Sequence, residues 1–508
     1  MDPSRCSIEF TGIGFATTEE STQGQHIRVF RGMVVPGMKG VGHSMNAANT
    51  RREFLSQSIG AMSAASGLSG FDGPPRVEHG HTWMAGIARA VITPNAAVWL
   101  AGYGGKRTPD GKLHELWMKA LALQDPSGRR AMLITSDFQG VPRLMSDRVF
   151  ARLLTKYKLE RRDVMFTFSH NHCGPRLGDD LVDYYPVEAE QVALVDEYTD
   201  LMVDRSVDLV GEALDRLAPA SLAIGEGRAS FAVNRRNNRE VDVPALQASG
   251  TPLAGPVDHS VPTMSVTRPG GQIVAIVFGY ACHPTTLSFT KWCGDYPGFA
   301  QLELEKEYPG ASAMFLNTCG GDQNPLPRRS VELCERYGHM LAVAVRDALR
   351  EPLQAVAPEL SSSFELIDLP YLKVVSREEL VDYLEDRNAI RARWAARMLR
   401  KLEAGERFEA SYPYPIHAWR LGKELLMIGM GAETVVDYAL RFKRQFGGGT
   451  WVCGYVDDMI AYIPSRRVWE EGGYEGGWNL YEYGRPALRW AGDIEDRIAT
   501  SVQRIVGK

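Results

Sequence analysis

Apolar runs broken by short polar segments bearing glycine or proline recur along most of the chain. Residues 118–125 (MKALALQD), 131–137 (AMLITSD), 164–170 (VMFTFSH), 273–280 (IVAIVFGY), 312–318 (SAMFLNT), 425–430 (LLMIGM) and 451–456 (WVCGYV) have the length and side-chain content of strands. Between them, apolar positions recur at three- and four-residue spacing over 143–157, 195–217, 331–351 and 377–405, which predicts helices. Strands alternating with helices place the chain in the α/β class, with a mixed β-sheet core flanked by helices. No internal repeat or heptad array interrupts this pattern.

Residues 83–508 read as one catalytic unit, in which the stretch from about 355 can pack as a subdomain. Upstream, Thr50–Gly70 pairs Arg51 with Arg52, follows them with Phe54 and Leu55, and continues in small, mildly apolar residues. This resembles a bacterial twin-arginine export signal. Such signals begin close to the start of a chain, so Met45 is the expected start and residues 1–44 an extension upstream of it. Residues 45–82 are then signal peptide and linker, the latter including the Gly/Pro-rich 66–75. The expected location is the periplasm or the exterior.

Composition narrows the partners. At 44% hydrophobic and 23% charged over 508 residues, with a formal charge of −5, the chain resembles an ordinary soluble protein. It has no basic tract, so nucleic acid is not an expected partner. No stretch reaches the roughly 20 apolar residues that span a bilayer, so no transmembrane segment is expected. Seven irregularly spaced cysteines form neither a disulfide framework nor a CxxC zinc pattern.

Only 11 histidines are present, yet His170 and His172 stand one residue apart at the end of an apolar run, in FTFSHNHCGP. On a strand, residues i and i+2 share a face, so both imidazoles are expected to point one way. Such a pair suits a metal site or acid–base work, and equally a pair of hydrogen-bonded loop histidines. His283, ending a second run in GYACHPTT, is a third candidate ligand, or a capped strand-end histidine. In GGDQNP, Gly320 and Gly321 allow close backbone approach, and exposed N–H groups there would stabilise an oxyanion. Asp322 and Asn324 are candidates to hold a ligand or orient substrate; the plainer reading is a glycine-rich turn with Asx hydrogen bonds. A phosphate loop is disfavoured because no GK[ST] follows. Each of these segments lies just past a strand, where covered sheets gather their ligand sites.

In order along the chain, 85–105 (AGIARAVITPNAAVWLAGYGG), 168–175 (FSHNHCGP), 231–238 (FAVNRRNN), 278–286 (FGYACHPTT), 320–325 (GGDQNP), 429–435 (GMGAETV) and 461–477 (AYIPSRRVWEEGGYEGG) resemble successive motifs of the neutral/alkaline non-lysosomal ceramidases. The likeness is to the N-terminal catalytic domain of that family, over about 83–490, and leaves no room for the family's C-terminal immunoglobulin-like domain. It implies a ceramidase-like fold and a zinc site built from His170, His283, Glu433 and Tyr462. His172 matches the family's non-ligand histidine, placed to donate to the scissile carbonyl or the leaving group. Tyr474 matches a substrate-facing hydrogen-bond donor. Arg235 matches an arginine facing the active site, with Arg236 leaving the register open by one. The residues themselves support Glu433, because LLMIGMGAE ends an apolar strand in glycine and a carboxylate. By itself Tyr462 reads as a packed aromatic and Tyr474 as a glycine-flanked surface aromatic.

One position departs from the family. Asn324 stands where the family has a serine proposed as nucleophile, and asparagine cannot form an acyl-enzyme. Cys319 reads as a buried structural thiol rather than a substitute. The expected attacking group is then water activated by zinc, which lowers the pKa of water to about 7. The expectation is an exported zinc-dependent hydrolase acting on an amide (N-acyl) bond of a small-molecule or lipid-like substrate. Two other readings stay open. One is a zinc hydrolase of a polar ester or glycan-type substrate, which Lys106, Arg107, Arg235 and Arg236 would suit. The other is a non-catalytic secreted binding protein on the same fold.

Overall fold

In strand Trp117–Gln124, Met118, Ala120 and Ala122 are buried on one face while Leu121 and Leu123 are buried on the other. A strand covered on both faces reads as a nearly continuous apolar run, which is how it stood out in the sequence. The structure, a computed structural model, describes residues 82–507. The expected start at Met45, the paired arginines and the linker lie outside the described residues. Those described belong to one compact unit, Pro74–Lys508.

Eight strands of the main sheet run in the order Val164–Phe168, Arg130–Ser136, Trp117–Gln124, Trp83–Val91, Ala218–Arg228, Ser260–Thr267, Ile273–Tyr280, Ser312–Asn317. The central pairs are antiparallel, whereas the outermost pair at each edge is parallel. The sheet curls until its edges approach: Asn317 of one edge donates its side-chain amide to the Ser169 carbonyl just past the other, at 3.0 Å. The segment 453–456 spans the gap, bridging Thr167 through Val456 and Thr318 through Cys453. The ends of the two parallel pairs, with the loops that follow them, therefore meet.

Helices Arg143–Tyr157, Ala189–Asp215, Asp295–Glu307 and Val331–Arg350 contribute their buried faces to the larger core cluster. A four-stranded sheet of Leu360–Pro370, Ser411–Leu421, Leu425–Met430 and Thr450–Cys453 lends Trp419, Met427 and Trp451 to the core on the opposite face. The stretch beyond 355 thus shares the main sheet's core instead of standing apart from it. The long helical pattern at 377–405 divides into Arg377–Tyr383 and Ala389–Glu403. Asn388 causes the break: its side chain accepts from the N–H groups of Ile390 and Arg391, which starts a new helix.

Candidate metal centre

Strand Val164–Phe168 ends two residues before His170, which takes a left-handed backbone at φ 64°. The histidine pair therefore converges through a turn rather than through strand alternation. The N–H groups of His170 and Asn171 both donate to the Phe138 carbonyl, fixing that turn. His283 follows strand Ile273–Tyr280 and is held by its N–H to the Gln323 carbonyl. Glu433 and Tyr462 are register partners in a short parallel pair, Glu433–Thr434 with Tyr462–Ile463. Ala432, immediately before Glu433, is also left-handed at φ 66°, as is Tyr455 at 58°, whose ring lies 5.1 Å from that of His170. Sparsely populated backbone conformations of this kind concentrate at functional sites.

His170, His283 and Glu433 are each buried, with ligand-capable atoms within 4.8 Å of one another. One oxygen of Glu433, Oε2, lies 2.8 Å from His283 Nε2 and 3.2 Å from His170 Nε2. The other nitrogen of each ring faces carbonyl oxygens. His170 Nδ1 is 2.7 Å from the Gln139 carbonyl, and His283 Nδ1 is 2.7 Å from that of Gly320 and 3.1 Å from that of Gln323. A carbonyl can only accept, so each Nδ1 carries the proton and each Nε2 presents a lone pair to the carboxylate. Burial, reinforced by the Arg235 cation, pushes His283 down to about 4, so its Nε2 is not protonated at neutral pH. Two lone pairs converging on a buried carboxylate oxygen call for a cation between them, and the donor set fits a metal ion. Tyr483 completes the carboxylate, donating to Glu433 Oε1 at 2.6 Å.

His172 brings Nε2 to 3.1 Å from His170 Nε2, but its Nδ1 is sealed from solvent with no partner. Burial, then the rings of His170 and His283, push it well below its ordinary value, so it is neutral. No carbonyl orients it as the Gln139 carbonyl orients His170. Arg107 donates to the His172 carbonyl at 2.8 Å, while Lys106 pairs with Glu188 away from the cluster.

Of the two arginines, Arg235 is the one that meets the cluster. Its Nη2 donates to the Tyr462 hydroxyl at 3.0 Å, Nη1 to Asn324 Oδ1 at 3.2 Å and Nε to Glu475 at 2.6 Å. Arg236 turns instead to Glu475, Glu471 and the Gly472 carbonyl. The Tyr462 hydroxyl lies 3.2 Å from His283 Nε2, and the Tyr474 ring packs edge-on against Tyr462 with centroids 5.2 Å apart. Tyr474 is 45% exposed and donates to Glu482 at 2.7 Å, so it stands at the mouth of the site.

The GGD turn departs from expectation. The Gly320 and Gly321 N–H groups donate to the Thr318 and Thr434 carbonyls, at 2.8 and 2.9 Å, so neither is free to hold an oxyanion. Gly320 serves through its carbonyl, which orients His283. Asp322 does not reach the cluster: Oδ1 accepts from the Val436 N–H and Oδ2 from the Asn234 amide. Of this turn, only Asn324 meets the site through its side chain, by way of Arg235. Cys319 is fully buried with its thiol pushed up by that burial, which keeps it protonated.

A family model described as neutral/alkaline non-lysosomal ceramidase, N-terminal, matches residues 83–336. The chain belongs to this family. The ceramidase match takes in His170, His172, Arg235, His283 and Asn324; Glu433, Tyr462 and Tyr474 lie beyond it. Two solved structures share the ceramidase fold. One, "Ceramidase complexed with C2", has a TM-score of 0.61 at 19% identity, covering 82% of this chain and 76% of that one. The other, neutral ceramidase from Pseudomonas aeruginosa, has a TM-score of 0.60 at 21% identity, covering 82% and 75%. No curated protein matches the chain.

Sequence reading missed Gln139, Tyr483 and Glu475 among the residues that shape this ceramidase-like site. Gln139 carried a signal, since FQGVP is one of the polar segments that close a strand. Tyr483 carried none, because its role depends on reaching Glu433 from a segment rich in other aromatics.

Proposed function

We propose that the chain is an exported zinc-dependent hydrolase that cleaves the amide bond of an N-acyl compound. One observation carries this reading: His170 and His283 each commit Nδ1 to a backbone carbonyl, leaving both Nε2 lone pairs on one buried oxygen of Glu433. Two histidines and a glutamate form a common catalytic zinc set, with a further position left for water or substrate. Zinc held there supplies Lewis acidity, polarising a carbonyl and lowering the pKa of a water towards about 7. Family membership supports an amide as the bond attacked.

The chain's own groups have separable tasks. Neutral His172 takes a proton from water and passes one to the departing nitrogen. Arg235 fixes the Asn324 amide by occupying its Oδ1, which leaves Nδ2 to donate to the oxygen that develops charge. The same guanidinium holds the Tyr462 hydroxyl against His283, and Tyr474 bounds the substrate at the mouth.

Elemental analysis of freshly purified protein is expected to find about one zinc per chain. His170→Ala and His283→Ala should each release most of it, and His172→Ala should keep it while losing activity. Purified, unchelated protein without a transition metal would sink the proposal. Export through the twin-arginine route from Met45 is proposed on Arg51, Arg52, Phe54, Leu55 and the weakly apolar stretch behind them. Replacing both arginines with lysine should trap a reporter fusion in the cytoplasm; undiminished export of that fusion would refute the assignment.

A further inference from the structure

Beside the histidine pair the chain buries an arginine and an aspartate that feel each other's charge without forming an ion pair. Arg176 is only 9% exposed. Its guanidinium sits over the Tyr185 ring, 3.8 Å from the centroid, and its Nε is sealed without a partner. Asp180 is 5% exposed, and its Oδ1 is likewise sealed and unpartnered. Among the described residues neither side chain makes an ion pair, with the other or with anything else. Folded proteins avoid this arrangement, because a buried charge without a partner is costly.

Both charges adjoin the candidate centre. Tyr185, beneath Arg176, accepts the Gly102 N–H at 2.7 Å, and Gly102 lies directly against the His172 ring. Asp180 borders Gly140, the residue after the Gln139 that orients His170: a Cβ on Gly140 would come within 3.3 Å of Asp180 Oδ1. Burial lifts the Asp180 carboxyl.

We infer that Arg176 and Asp180 form a dipolar subsite for the amine half of the substrate, Arg176 receiving a carboxylate and Asp180 a hydrogen-donating nitrogen. The substrate class is then an N-acylated amino acid rather than a two-chain lipid. This rests on the amidohydrolase reading. Hydrolysis adds water across the C–N bond: the carbonyl carbon gains the oxygen, the nitrogen gains a proton, and a carboxylic acid and an amino acid leave. The ammonium and carboxylate of that amino acid are the two charges that Asp180 and Arg176 lack. A planar guanidinium suits a carboxylate in particular, since its paired N–H groups match two oxygens.

The test uses the zinc-loaded full chain with N-acetyl derivatives of the common amino acids, each against its C-terminal carboxamide, and a short-chain ceramide. The acids should be cleaved on the order of a hundredfold faster in kcat/KM than the carboxamides, and faster than the ceramide. Arg176→Gln should erase that preference, mainly through KM for the acids, with zinc retained. Arg176→Lys, which keeps the charge and loses the fork, should retain part of it. Thermal-shift titration with free amino acids reads the subsite without turnover: wild type should be stabilised and Arg176→Gln should not. Cleavage of no N-acyl probe would end the amidohydrolase reading, while the titration would still decide the subsite. Equal rates on acids and carboxamides, or amino-acid binding that survives both Arg176→Gln and Asp180→Asn, would overturn the inference and leave a water-bridged structural pair.

Discussion

Burial lifts the Asp180 carboxyl to about 7 from an ordinary value near 3.8. An acid that holds its proton more tightly folded than unfolded contributes stability that is complete below pH 4 and is lost as pH rises to about 7. At roughly 1.4 kcal/mol per pKa unit, the ionised carboxylate opposes folding by about 4 kcal/mol at pH 8. Asp180→Asn is therefore expected to be more stable than wild type at pH 8 and nearly equal at pH 4, as urea unfolding at the two pH values would show. His283, pushed down to about 4, has the opposite dependence, but it is common to both proteins and cancels in the difference. A variant less stable at pH 8 would mean that a partner holds the carboxylate. Single residues were legible in the sequence where they interrupted a pattern, as His170, His283 and Glu433 do at the ends of apolar runs. Arg176, Asp180 and Tyr483 interrupt nothing, and a missing or distant partner leaves no trace in local spacing.

Among elements, the runs covered on both faces were read nearly to their ends, whereas strands with a polar face were not. Leu360–Pro370 opens on Leu-Ser-Ser-Ser and exposes Ser361, Leu366 and Asp368, and Ala218–Arg228 carries glycines and charges, so neither stood out. The turn at His170 was also illegible, because a left-handed histidine has no sequence signature. Gly102 shows how closely the neighbouring loop fits that turn. It sits at φ 101°, and a Cβ there would come within 2.4 Å of the His172 ring. Gly102→Ala should therefore displace His172 while the ligands stay in place. Zinc content should be unchanged and turnover reduced about a hundredfold or more, since displacements near 1 Å can have that effect. Strain at the substituted residue should lower stability by about 1–3 kcal/mol. Full activity in this variant would remove His172 from its proposed role.

At the scale of the molecule, the site joins the two edges of a curled sheet to a strand pair drawn from the last third of the chain. A metal ion shared by His170, His283 and Glu433 would tie these parts to one another, and binding to the folded state alone raises stability by mass action. Chelation should therefore increase amide hydrogen exchange in 139–172 and 433–463 together, while the more central strands Trp117–Gln124 and Trp83–Val91 remain protected. Exchange confined to one of the two segments would show that the ion does not couple them. The same arrangement bears on the order of events during synthesis. A nascent chain that has emerged only as far as Met430 already contains both histidines and most of the framework, but it has neither Glu433 nor Tyr462. A metal ion held by this set, and the hydrolysis proposed for it, would therefore have to wait until Tyr462 has been made, and any product cut short before Tyr483 would lack the hydroxyl that completes Glu433.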